Sequence, residues 1–166
     1  MLCALAVLVA APARAVEIAY TAVDLADAQP GVDRWLYRYQ LDEFLYGAGY
    51  GFTVYFDPDL YAELDAGALA PDQWDPVVAD PDVNLGAYGY YDVEARVSAP
   101  SVATAFTVSF RWLGAGTPGP QPFEVREPDP SFDVVESGTT VVPEPAAFSL
   151  GACALAALVR TRRSPS

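Results

Sequence analysis

Val102-Ala-Thr-Ala-Phe-Thr-Val-Ser-Phe-Arg-Trp112 puts Val102, Thr104, Phe106, Val108, Phe110 and Trp112 on one side of an extended chain. Ala103, Ala105, Thr107, Ser109 and Arg111 fall on the other. Successive side chains of a strand point to opposite faces, so this period of two predicts a β-strand with one buried face. Working outward, Gly114, Gly116, Pro118, Gly119 and Pro120 close the strand with a loop. Phe123 and Val125 then begin a last pair with Phe132, Val134 and Val135 across Pro128-Asp129-Pro130. Upstream of the Pro100 break, Tyr91, Val93, Ala95 and Val97 alternate with Asp92, Glu94 and Arg96. The same period recurs at Ile18, Tyr20 and Ala22, at Trp35, Tyr37, Tyr39 and Leu41, and at Phe52, Val54 and Phe56. Gly47, Gly49 and Gly51 between the last two runs suggest a hairpin or bulge. Two stretches read differently. Tyr61, Leu64 and Leu69 have weak helical spacing behind a possible N-cap at Asp59, which suggests one or two helical turns. Ala70 to Asp82, with Pro71, Pro76 and Pro81 and several Asp, reads as a surface loop around Trp74.

Six or so strands at short spacing, with Gly/Pro turns and little helix, predict an all-β fold: an antiparallel β-sandwich, jelly-roll or Ig-like, over residues 16–136. The clean alternation argues against a parallel sheet buried on both faces.

The 166 residues are 52% apolar and 13% aromatic, enough for one packed domain. Lys and His are absent, and Cys3 and Cys153 are the only cysteines. The middle of the chain therefore has no disulfide and no thiolate metal site, and a His-based triad or His–Cys zinc site is excluded. Residues 16–142 carry 21 acids and five arginines, a net charge of −16 that repels nucleic acid. Asp57 and Asp59, with the group Asp72, Asp75, Asp80 and Asp82, offer oxygen ligands for Ca²⁺. Their spacing matches no EF-hand, and Asp is also the usual turn former. No cofactor, no metal and no catalytic set is expected.

The two ends carry the rest. Leu2 to Ala11 is nearly all apolar, and Ala13 and Ala15 fit the small-x-small rule, so residues 1–15 read as a signal peptide cut after Ala15 following Sec export. A buried N-terminal strand or helix is the other reading. Residues 137–142 read as a spacer. Pro143, Glu144 and Pro145 follow, then an apolar run over 146–159, then Arg160, Arg162 and Arg163. At about 1.5 Å per residue the run is shorter than the roughly 30 Å hydrocarbon core, so alone it fits a buried helix or a membrane segment. The Arg cluster directly after it favours a membrane helix with a cytoplasmic stop.

These parts, in this order over residues 143–166, resemble the PEP-CTERM sorting signal of Gram-negative bacteria. The stretches Trp112–Thr140 and Trp35-Leu-Tyr-Arg-Tyr39 also resemble the ectodomains of such proteins. The resemblance implies recognition of Pro143-Glu144-Pro145 by an exosortase, cleavage near it, and transfer from an inner-membrane precursor to the cell surface or extracellular matrix. It implies no activity for the ectodomain. Exposed Tyr and Trp also stack on sugar rings, and Tyr88, Tyr90 and Tyr91 among glycines are the candidate carbohydrate contacts. The expectation is a non-enzymatic surface or matrix protein, or alternatively a carbohydrate-binding module whose partner is extracellular polysaccharide.

Overall fold

The computed structural model describes residues 15–27 and 29–143. Nine strands make two antiparallel sheets, and the described residues contain no helix. The strands are β1 (Ile18–Asp24), β2 (Asp33–Leu41), β3 (Gly51–Phe56), β4 (Tyr61–Ala66), β5 (Trp74–Ala79), β6 (Gly89–Ala95), β7 (Phe106–Trp112), β8 (Pro122–Arg126) and β9 (Val134–Thr139). One sheet runs β1-β2-β7-β4 and the other β5-β6-β3-β8-β9. The all-β expectation therefore holds.

The faces follow the period of two. On β7, Phe106, Val108, Phe110 and Trp112 point inward, and on β2 Tyr37, Tyr39 and Leu41 do the same. From the five-stranded sheet they meet Phe52, Val54 and Phe56 of β3, Tyr91, Val93 and Ala95 of β6, and Phe123 and Val125 of β8. Edge-to-face ring pairs join the layers: Phe52 on Phe106 at 5.2 Å and Trp74 on Phe106 at 5.0 Å between centroids. Such pairs add about 0.5–1.5 kcal/mol each beyond the area they bury. Gln121, 2% exposed, supplies the polar centre of this aromatic core. Its side-chain amide donates to the Tyr37 hydroxyl at 2.6 Å and to the Tyr61 hydroxyl at 2.8 Å, its Oε1 accepts from Tyr39 at 3.2 Å, and Tyr37 donates on to the Gly119 carbonyl at 2.7 Å. Burial pushes the Tyr37 and Tyr39 phenols far above the ordinary tyrosine range, so the network stays neutral.

Four expectations change. The helical spacing at Tyr61 and Leu64 belongs to strand β4. A bulge between Ala62 and Asp65, with Glu63 at φ 54°, inserts an extra residue. Two inward side chains then stand three apart, as they would on a helix. Within Ala70–Asp82, the stretch Trp74–Ala79 is strand β5, with Trp74 1% exposed, and the residues on either side of it are turn or loop apart from a bridge at Asp82. Pro76 is tolerated because β5 lies at a sheet edge, where a missing N–H costs no ladder bond. The glycines between β2 and β3 form no hairpin; the two strands lie in different sheets. Gly49 there has φ 86°, and a Cβ would sit 2.7 Å from the Pro128 ring, so the chain passes with no room for a side chain. Finally, β9 runs on through Ser137–Thr139, within the stretch expected to be a spacer. Val141 then makes a parallel bridge with Ala19 of the other sheet. The order of the sheets makes the chain cross between layers five times, at β2–β3, β3–β4, β4–β5, β6–β7 and β7–β8.

Candidate functional site

The inward positions of β3, β6 and β8 are spent on the core, so the alternate positions build the outer face of the five-stranded sheet. Register sets them side by side. Thr53 pairs with Asp92 on one side and Glu124 on the other, Tyr55 pairs with Tyr90, and Gly51 pairs with Glu94 and Arg126. All of these but Glu124, together with Val77 of β5, Gly49, Glu127 and Phe132, line an open groove of about 340 Å³. That volume lies toward the lower end of the roughly 300–1,000 Å³ typical of small-molecule clefts.

The floor is low because Gly51 has no side chain. A Cβ at that position would meet the Val93 carbonyl oxygen at 2.8 Å. One wall is a fixed polar set. Arg126 donates to the Tyr55 hydroxyl at 2.9 Å and to the Phe132 carbonyl at 3.1 Å, and pairs with Glu124. Tyr55 in turn donates to Glu124 at 2.7 Å. Removal of water raises the Tyr55 phenol, and the bond to Tyr55 raises the Arg126 guanidinium, so both keep their protons. The opposite wall holds Asp92, which accepts from the Thr53 hydroxyl at 2.6 Å. Burial holds Asp92 above the usual carboxylate range, partly offset by Thr53 and by the charge of Arg126. Phe132, 53% exposed, closes the end on a loop where its own φ is 50°. A left-handed backbone at an aromatic residue is strained, and such strain gathers where a side chain is held for a purpose.

The three expected sugar-contact tyrosines separate. Tyr90, 38% exposed, lines the groove. Tyr88 is exposed beside a second cleft of about 220 Å³, bordered by Leu60, Tyr61, Trp112 and Gln121. Tyr91 is fully buried between the sheets and stacks on Tyr39, so its expected exposure is corrected. It shares a face with Val93 and Ala95, and that alternation was the signal for its burial. Thr53, Asp92, Glu94, Arg126 and Phe132 were not picked out from the sequence as site residues. They meet only because β6, β3 and β8 are neighbours.

Among the described residues, no group of three or more His, Cys, Asp or Glu is placed to hold a metal ion. The acidic groups near the turns have local partners instead. Asp57 accepts from the Asp59 amide, Asp82 from Asn84 and Leu85, and Asp80 from Leu64, while Asp75 pairs with Arg96 at 2.8 Å. Ala15 and Pro143 are exposed. Ala13, Glu144, Pro145, Arg160, Arg162, Arg163 and the apolar run 146–159 lie outside the described residues. Among those that are described, no helix is long and apolar enough to cross a membrane. No protein-family model matches the chain, and no curated protein matches it.

Proposed function

We propose that this is an exported, non-enzymatic surface or extracellular-matrix protein, sorted by an exosortase through Pro143-Glu144-Pro145, whose outer-face groove holds a neutral saccharide. The orders β1-β2-β7-β4 and β3-β8-β9 follow the A-B-E-D and C-F-G arrangement of an Ig-like sandwich, with the β5–β6 hairpin added at the free edge of β3, and so favour that form over the jelly-roll one. In this reading a signal helix precedes the domain and a transmembrane helix follows it.

One observation carries the saccharide: a shallow groove that offers the rings of Tyr90 and Phe132 beside the carboxylates of Asp92 and Glu94 and the guanidinium of Arg126. The weakly polar C–H face of a sugar ring packs on an aromatic face, and its hydroxyls donate to carboxylates and accept from a guanidinium. Asp92, Glu94, Glu124 and Glu127 surround a single arginine in and beside the groove, so uronates and other anionic sugars are repelled.

Binding is measured with neutral gluco-, xylo- and manno-oligosaccharides against polygalacturonate as the anionic control. Tyr90→Ala is expected to weaken neutral-sugar binding about tenfold, equivalent to about 1.4 kcal/mol. Asp92→Asn is expected to weaken it similarly while leaving the protein at least as stable at neutral pH, since an amide carries no desolvated charge. The sign follows from the raised carboxyl. Its folded pKa lies above the unfolded one, so its contribution is favourable in acid and is lost as pH rises through the folded value. Binding of polygalacturonate alone, or equal binding by both variants, would remove the sugar reading. Release of new reducing ends would remove the non-enzymatic one.

Sorting is read by intact mass of the protein from the host's outer surface. The expected species starts at Val16 and ends near Pro143-Glu144-Pro145. Glu144→Ala, or deletion of the Arg160–Arg163 cluster, is expected to leave uncut protein in the membrane fraction. Normal processing of both variants would end the exosortase assignment.

A further inference from the structure

Val16 and Glu136 come from opposite ends of the domain, yet the backbone nitrogen of Val16 donates to Glu136 Oε1 at 2.6 Å. The other carboxylate oxygen accepts from the Tyr46 hydroxyl at 3.0 Å, so Glu136 is held in place before Val16 arrives. Tyr46 is itself fixed by stacking on Tyr50, with centroids 5.1 Å apart. Val16 is 8% exposed, while Ala15, one residue earlier, is exposed. The chain therefore passes from solvent into the fold at the bond where the small-x-small pattern of Ala13 and Ala15 puts the cut.

We propose that the Ala15–Val16 bond is the maturation site and that Glu136 is the built-in counter-ion for the α-amino group released there. This rests on the reading of an exported chain with a cleaved leader. A signal peptidase hydrolyses the bond with one water. The water oxygen goes to Ala15, which leaves as a carboxylate, and Val16 keeps its nitrogen with three protons as an ammonium. A neutral amide donor to Glu136 becomes a cationic one at the same atom. A charge-assisted bond of this kind is about twice as strong as the neutral one, and its preferred N–O distance is about 2.7–2.9 Å. Partial burial protects it from the salt screening that makes exposed pairs worthless. Processing thus tightens the contact between β1's leading end and β9. An α-amino group one residue further out would sit in water, beyond the carboxylate.

The test uses four proteins in the same detergent buffer: residues 16–166, the same chain preceded by Ala15, and Glu136→Gln in each. Thermal unfolding at pH 6.5, below the free α-amino range of about 7.7–8.0, keeps the amine charged. The chain starting at Val16 is expected to melt about 2–4 °C above the extended one. The gap is expected to close in the Glu136→Gln pair, because Gln keeps an acceptor for the amide but no charge. Equal melting of the first two chains, or a gap that persists in the Gln pair, would overturn the counter-ion. N-terminal sequencing of the surface protein separates this from the export reading. A start at Val16 with no melting gap removes only the ion pair, and any other start removes the maturation site itself.

Discussion

Trp74→Ala is expected to destabilise the domain by about 3–5 kcal/mol, the range for truncating a buried Trp, and to lower its melting point by roughly 10–20 °C. Trp74 begins the edge strand β5, and it is that strand's only fully buried side chain. Its indole packs on Phe44, Phe52 and Phe106, with centroids 5.0–6.3 Å apart, and its Nε1 donates to the Ser101 carbonyl at 2.9 Å. Removing it opens a cavity between the layers, loses the bond to the Ser101 carbonyl and frees the edge. Trp74→Phe keeps much of the volume and is expected to lose about half as much. Differential scanning calorimetry of the two variants checks this. A shift under about 3 °C for Trp74→Ala would mean that β5 is held by its ladder with β6 alone.

The second large effect is polar. Gln121→Leu is close to isosteric but leaves the fully buried Tyr39 hydroxyl without its acceptor, and removes the donor shared by Tyr37 and Tyr61. An unpartnered buried hydroxyl costs about 1–3 kcal/mol, and networks in a low-dielectric core lose more than their parts suggest. A loss of about 2–4 kcal/mol in denaturant unfolding is expected. Adding Tyr39→Phe removes the orphan group as well and is expected to restore part of that loss, which makes the pair a double-mutant cycle. If the double variant is worse by the sum of the single losses, the network is not what stabilises this centre of the core.

How far the fold could be read from the sequence depended on how much each strand buries. Strands β2, β3, β6 and β7 have one face against the other sheet, and alternation marks each of them. β4 was disguised by its bulge, because an inserted residue turns a spacing of two into three. β5 was disguised by its place at the edge. With only Trp74 inside, it has no periodic face, and Pro76 looks like a breaker until its ladder bond proves dispensable. Pairing was not readable at all, since nothing local tells Phe52–Phe56 to leave the strand before it and lie between β6 and β8. The groove inherits that limit. Tyr90 stood out as an aromatic among glycines, but Thr53, Asp92 and Arg126 are ordinary outward residues until three strands set them in register.

The exit of the chain has a mechanical meaning. After β9 the backbone turns onto the other sheet: the Tyr20 amide donates to the Val141 carbonyl at 2.8 Å, and the Val141 amide donates to the Ile18 carbonyl at 2.9 Å. One residue earlier, buried Thr140 donates its amide to the Gln121 carbonyl and accepts the Gln121 amide on its hydroxyl. A pull applied to the backbone at Pro143 therefore does not meet β9 first. It loads a clasp that grips both layers at once, next to the buried Gln121 centre. Peeling the edge strand β9 would have to wait until that clasp gave way.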